Sequence, residues 1–204
     1  MNKFEHIHLK NPGVTRGIIP PEIYQHVMQE IREIEKDDRG IFKMNNYLAG
    51  QMEKEYKLEK SNHHIVPYLE EMGKEYSKRW DRWDCHQGQD LKVDSIWVNL
   101  QKKAEYNPIH AHDGALSFVA WMDIPYKYED EMNVNHSKDS RTKDFSGTFQ
   151  FIYNSVLGDI VNEVYEVENG WEGRILMFPA GLRHVVYPFY TSDRYRISIA
   201  GNLS

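Results

Sequence analysis

Apolar positions change their period once along this chain, near residue 91. Before that point they recur at helical spacing. Ile23, Val27, Ile31 and Ile34 stand three or four residues apart, and Pro21 falls where a first helical turn tolerates proline. Asp37-Asp38-Arg39-Gly40 marks the end of this predicted helix. A second helix is predicted from Ser61 or Asn62, either of which can cap it, through Ile65, Leu69, Met72, Tyr76 and Trp80. His63 and His64 read as exposed residues near its start. Between the helices, residues 41–60 carry the charge run MEKEYKLEK, which reads as solvated helix or loop surface. Residues 1–19 read as extended up to Pro20-Pro21. His6 and His8 there have no companion residues that mark a site. The two helices precede the strand-like run, as a helical layer supporting a later sheet.

From Leu91 the period is two. Val93, Ser95, Trp97, Asn99 and Gln101 share one face of a strand, and Asp94, Ile96, Val98 and Leu100 share the other. The face bearing Trp97, Asn99 and Gln101 is either the wall of a cavity or a solvated surface. A second strand begins within the stretch NPIHAHDGALSFVAWMD, with its apolar run from Ala115 to Met122, and runs to Ile124-Pro125. Residues 126–146 are polar without an apolar period, and a loop of that length is often functional, so a lid is expected there. Further strands are predicted at Gly147–Tyr153, Asp159–Val167, Arg174–Phe178, from His184, and at Arg194–Leu203. About eight short strands without intervening helices predict an antiparallel sandwich or jelly roll. The expected fold is mainly β with N-terminal helices. It is read as one domain over 1–204, with 1–90 as helical support and 91–204 as jelly-roll core.

Composition narrows the classes. A chain of 204 residues with 40% hydrophobic and 27% charged residues is ordinary for a soluble globular protein. A net charge of −6 argues against a general nucleic-acid binder, which carries a basic footprint. The single cysteine, Cys85, excludes an internal disulfide framework and fits a reducing compartment. No stretch approaches the roughly 18 apolar residues of a membrane-spanning helix. The protein is expected in the cytoplasm, with no membrane and no nucleic-acid partner. Thirteen tyrosines and five tryptophans serve a core first.

The chemistry concentrates in Asn107–Asp123. His110 and His112 stand two residues apart, followed by Asp113 and Gly114. On one strand, residues at that spacing point to the same face, roughly 6.6 Å apart along the chain, and two imidazoles there can close on one metal ion. Imidazole suits iron, zinc, copper and nickel, and a carboxylate beside it tilts the choice toward Fe(II). The third ligand must come from elsewhere, and His184 in FPAGLRHVVYP is the candidate, 72 residues after His112. The competing reading of H-x-H is a polar strand face that binds nothing.

Two signatures, WVNLQKKAEYNPIHAHDGALSFVAWMDIP at 97–125 and FPAGLRHVVYPFYTSDRYRISIAGN at 178–202, resemble in order and spacing the Fe(II)/2-oxoglutarate-dependent oxygenases. Within them they most resemble the oxygenase families of bacteria and phages related to the prolyl hydroxylases. The resemblance implies a double-stranded β-helix, the cupin-like jelly roll, holding Fe(II) at its mouth. It implies that 2-oxoglutarate chelates the iron and that its distal carboxylate pairs with an arginine on a late strand, backed by a hydroxyl two residues on. Arg196 and Ser198 match that pattern, and a guanidinium presents parallel donors to a carboxylate. Arg194 shares the face but not the spacing. Where the commonest family pattern has Asp, this chain has His112, with Asp113 next to it. The metal set is therefore His110, His112 and His184, or a set that Asp113 enters through a local bulge.

The resemblance implies a hydroxylase that consumes 2-oxoglutarate and O₂ and yields succinate. Trp97, Asn99, Gln101 and Trp121 are expected to line the co-substrate or substrate pocket, and a peptide or protein side chain is the substrate class the prolyl hydroxylase likeness allows. The alternative is a catalytically silent jelly-roll metal-binding module, which has no need of Arg196 and Ser198. A third reading is an interaction protein that uses its aromatic surface.

Overall fold

A computed structural model describes residues 13–36, 52, 54–80, 90–134 and 145–204. The expectations for His6, His8, Asp37–Gly40 and Cys85 lie outside the described residues, as does 135–144 of the predicted loop.

Ten strands and three helices are present among the described residues. A six-stranded antiparallel sheet contains β1 (Thr15–Ile18), β2 (Glu55–Lys57), β3 (Val93–Gln101), β5 (Leu116–Asp123), β8 (Arg174–Pro179) and β10 (Arg196–Leu203), in the order β1-β8-β5-β10-β3-β2. A four-stranded sheet contains β4 (Asn107–His110), β6 (Thr148–Asn154), β7 (Ile160–Glu166) and β9 (His184–Val186), in the order β4-β9-β6-β7. From β3 onward the chain passes back and forth between the sheets. That alternation is the jelly roll, or double-stranded β-helix, that the strand spacing and the family likeness had predicted.

The six-stranded sheet has two buried faces, so its strands read as nearly continuous apolar runs. One face packs on α1 (Pro21–Glu35) and α2 (Asn62–Arg79): Val27, Ile31, Leu69 and Ile65 meet Val98, Ile199 and their neighbours in one cluster. Full burial of each such side chain contributes roughly 1.5–3 kcal/mol against exposure, so a stripe of four per helix is enough to dock it. The opposite face points into the sandwich, where Val119, Trp121, Leu176 and Phe178 meet Phe149 and Phe151 of the four-stranded sheet. Gln101 and Asn99 of β3 point inward with them and are buried. Of the two readings of that polar face, the structure takes the cavity wall. No described helix is long and apolar enough to cross a membrane.

Four expectations need correction. The helices do not precede every strand, because β1 comes before α1 and pairs with β8, while β2 lies between the helices and pairs with β3. The charge run around residue 55 is not solvated surface. It supplies β2, whose Glu55 and Tyr56 are buried, because an edge strand next to β3 can drop alternate side chains into the sandwich. The α2 N-terminus is not capped by its own Ser61 or Asn62. The buried Glu30 carboxylate of α1 accepts the backbone N–H groups of Glu59, Lys60 and Ser61 at 2.7–2.8 Å. An anion there also meets the positive end of the helix dipole.

The fourth correction concerns the loop after β5. Its first part folds into the short helix α3 (Tyr128–Met132), whose Glu131 is fully buried. The Glu131 carboxylate accepts the backbone N–H groups of Tyr190 and Thr191 at 2.7 and 2.9 Å, and the Thr191 hydroxyl. A segment tied down in this way does not behave as a free lid. Glu131→Ala strips two backbone donors of their acceptor at about 1–3 kcal/mol each, so the variant should lose about 2–6 kcal/mol of stability. Urea denaturation of the two proteins measures it, and an unchanged midpoint would mean that water replaces the carboxylate without loss.

Candidate metal centre

β4 is an edge strand, which is why it accommodates Pro108. Its partner is β9, and in that ladder His110 lies directly opposite His184. Cross-strand neighbours sit within side-chain reach, and the two rings have centroids 4.2 Å apart. His112 arrives differently. Of this pair, His110 belongs to a strand and His112 follows it in the β4–β5 connection, so the expected alternation along one strand is not what joins them. The His112 backbone N–H donates to the Ala180 carbonyl oxygen at 2.9 Å, which ties this connection to the β8–β9 turn. Two residues on, Gly114 has φ +98°, and a Cβ there would stand 3.0 Å from the Leu203 carbonyl oxygen, so this turn requires glycine. The His112 ring ends 5.0 Å from His110 and 5.1 Å from His184.

One ligand nitrogen from each of the three rings falls within 4.8 Å of the others, a spacing on which one metal ion can close. Asp113 is exposed and stands outside this group. Its charge acts on His112 through space only, favouring the protonated ring.

The protonation of the rings follows from what surrounds them. His184 is 4% exposed among Phe149, Phe151 and Phe178. Burial, reinforced by His110, pushes its pKa down to about 3. Burial and then His110 bring His112 down to about 4, and burial lowers His110 as well. All three are thus neutral near pH 7, the form that binds metal. Nδ1 of His110 lies 2.7 Å from the Pro108 carbonyl oxygen, and Nδ1 of His184 lies 2.9 Å from that of Leu182. A carbonyl oxygen only accepts, so each Nδ1 carries the hydrogen and each Nε2 keeps its lone pair. Such partners are what orient metal-binding histidines in general. The donor set therefore fits a divalent metal ion.

The rings open into a cavity between the sheets, with about 530 Å³ of empty space including the solvent at its mouth. Trp97, Asn99, Gln101 and Ser198 line it, as expected of that strand face. Trp121 does not; it is buried in the aromatic core, edge-on to Phe149 and Trp171. Arg196 is 3% exposed and reaches the cavity only through Gln101. Its Nε and Nη2 both donate to Gln101 Oε1, at 3.1 and 2.6 Å. Nη1 donates to the Tyr126 hydroxyl at 2.6 Å and to the Gly147 carbonyl at 3.4 Å, and Nη2 donates to the Tyr187 carbonyl at 2.8 Å. The rings of Tyr126 and Phe189 flank the guanidinium. Every one of these partners is uncharged, so among the described residues no carboxylate is hydrogen-bonded to this buried cation. Arg194, by contrast, is a surface residue paired with Asp123.

Sequence reasoning missed Glu55 and Asn107, which also line the cavity. Glu55 was hidden by its charged neighbours. Asn107 offered a weak signal through its place beside Pro108.

The fold is shared with solved structures of low sequence identity. A prolyl-4-hydroxylase from Pseudomonas putida superposes with a TM-score of 0.59 at 12% identity, over 94% of this chain and 91% of that one. AviO1 from Streptomyces viridochromogenes Tue57 gives 0.57 at 10%, over 96% and 90%. OsALKBH1 gives 0.55 at 12%, over 96% and 100%. No curated protein sequence matches the chain. A family model described as "Putative 2OG-Fe(II) oxygenase" matches residues 95–202, from within β3 to within β10. That match takes in both histidine motifs and more than half of the chain, and by it the protein belongs to the 2OG-Fe(II) oxygenase family.

Proposed function

We propose that this protein is an Fe(II)- and 2-oxoglutarate-dependent dioxygenase that hydroxylates an organic substrate, with a peptide or protein side chain as the substrate class. The observation that carries the reading is the convergence of three neutral imidazoles, two with their tautomer set by a backbone carbonyl, on the cavity that also holds Gln101 and Ser198. The named activity of the Pseudomonas putida neighbour supports the peptide class.

In this reading Nε2 of His110 and His184, together with His112, holds the iron, and Asp113 is not a ligand. Bound Fe(II), 2-oxoglutarate and O₂ supply the hydroxylation of a C–H bond, with 2-oxoglutarate released as succinate and CO₂. The chain's own residues position and shield. Phe149, Phe151 and Phe178 pack round His184 and keep water from that side of the centre. Arg196 receives the distal carboxylate of 2-oxoglutarate. Gln101 Oε1 now occupies the Nε–Nη2 edge of the guanidinium, which is the edge a carboxylate grips with two bonds. The carboxylate takes that edge, and Ser198, two residues along the same strand face, adds a hydroxyl. Asn99 shares the wall between Gln101 and the histidines.

Metal analysis of protein purified without oxygen, followed by an assay for succinate formed from 2-oxoglutarate, tests the reading. One iron per chain and succinate production are expected. Iron without any binding of 2-oxoglutarate would leave a metal-binding jelly roll in its place.

A further inference from the structure

β7 ends the four-stranded sheet, and among the described residues only β6 pairs with it. At the hairpin that joins them, the Ser155 N–H donates to the Asp159 carbonyl oxygen at 2.8 Å. Antiparallel pairs alternate between hydrogen-bonded and open, so Val161, Glu163 and Tyr165 turn their backbone groups toward β6. Those of Ile160, Asn162 and Val164 turn outward. The far side of β6 agrees, because its even-numbered residues serve the β9 side: Ile152 N–H donates to the Arg183 carbonyl, and the Thr148 carbonyl accepts the Tyr187 N–H. The outward groups of β7 meet no partner among the described residues. Natural edge strands are usually blunted by proline, a bulge, lysines or shortness. β7 pairs with β6 over seven residues without a bulge and contains neither proline nor lysine. Its charges are negative: Asp159 and Glu163 are exposed and in no ion pair among the described residues. At the hairpin tip Val156, Leu157 and Ile160 are 60%, 87% and 77% exposed. That tip is held in shape by the Ser155 hydroxyl, which accepts the N–H groups of Leu157 and Asp159.

We propose that the free edge of β7 binds an extended, basic segment of a partner polypeptide, which adds a strand to the four-stranded sheet. The proposal stands apart from the oxygenase reading. In strand addition the main chain supplies affinity and alternate side chains supply specificity. The outward groups of Ile160, Asn162 and Val164 supply the first. Charge selects the partner. From Ser155 to Glu172 the chain carries five carboxylates and no lysine or arginine. A second copy of a chain of net charge −6 would set like charges against each other across the new ladder, which is unfavourable. A basic strand sets opposite charges there. In antiparallel pairing the residue opposite Ile160 comes three positions after the one opposite Glu163. The segment that fits therefore has lysine or arginine followed, three residues on, by an apolar side chain. The apolar tip at Val156 and Leu157 extends the contact past Ile160.

The probe is the end-blocked peptide TRTVIKT, whose arginine falls opposite Glu163, isoleucine opposite Ile160 and lysine opposite Asp159. It is titrated into the full chain and followed by NMR at the backbone amides. Shifts and slowed hydrogen exchange are expected at Ile160, Asn162 and Val164. The acidic peptide TETVIET should bind more weakly. Methylating the backbone nitrogens of the third and fifth peptide residues, which face β7, should abolish binding. Methylating the fourth and sixth, which face away, should spare it. Glu163→Lys, at an exposed position, should weaken the basic peptide by about fivefold, the upper end for one cross-strand ion pair, and should strengthen the acidic one. No shifts at these three amides with millimolar peptide overturn the proposal. So does equal binding of the two methylated peptides, which would reduce the contact to charge attraction without a strand. Concentration-dependent dimerisation through the same amides, with no preference for the basic peptide, also overturns it and makes a second copy the occupant.

Discussion

His184→Ala should abolish tight Fe(II) binding, from one ion per chain to none retained through desalting. His184 contributes one of three nitrogens, faces His110 across the β4–β9 ladder, and has its Nε2 lone pair left free by the Leu182 carbonyl. Removing a hydrogen-bond partner of a ligand typically costs about 10–100-fold in metal affinity, and removing the ligand itself should cost more. The side chain is also buried among three phenylalanines, so the substitution opens a cavity. His110→Ala, at a more exposed ring, is the companion that separates ligand loss from unfolding. Anaerobic iron titration with circular dichroism on each variant measures both. A folded His184→Ala protein with wild-type iron affinity would remove this residue from the metal set. Asp113→Ala should leave iron binding essentially intact, because that carboxylate lies outside the cluster.

Arg196→Ala should weaken 2-oxoglutarate by about two orders of magnitude or more while sparing iron. A hydrogen bond to a charged group contributes roughly 1.5–3 kcal/mol, and tenfold in affinity corresponds to about 1.4 kcal/mol. Leaving the ligand carboxylate unpaired in a buried site adds to that loss. Arg196→Lys should rescue only in part, since an ammonium cannot span the Nε–Nη2 edge. Gln101→Glu makes a sharper test. It places a carboxylate of the protein on that same edge, so it should exclude 2-oxoglutarate with the arginine still in place. Calorimetric titration into anaerobic, metal-loaded protein reads all three. A large loss in Arg194→Ala with Arg196→Ala unchanged would move the assignment two residues upstream, against the surface pairing of Arg194 with Asp123.

What the chain determined by itself was whatever depends on near neighbours. The helical stripes from Ile23 to Ile34 and from Ile65 to Tyr76 follow from a period of three to four, and both helices form where that period runs. The two-residue period from Val93, and the apolar runs of β5 and β8, follow from a sheet buried on both sides. The three histidines could be singled out because two stand together and the third follows a buried strand. What only the tertiary structure decided depends on contacts between segments far apart. His112 joins the cluster through a turn held by Ala180, not through strand alternation. Asp113 is left out because the turn before Gly114 points it to solvent. Glu55 looked like one charge in a solvated run until pairing with β3 carried it inward. Trp121 has the right period for the cavity but is claimed by Phe149 and Trp171. Arg196 was legible as a conspicuous arginine, but its buried charge among neutral partners was not, because Gln101, Tyr126, Gly147 and Tyr187 come from four separate segments. Periodicity records which face a residue presents; only the packed sheets determine what that face meets.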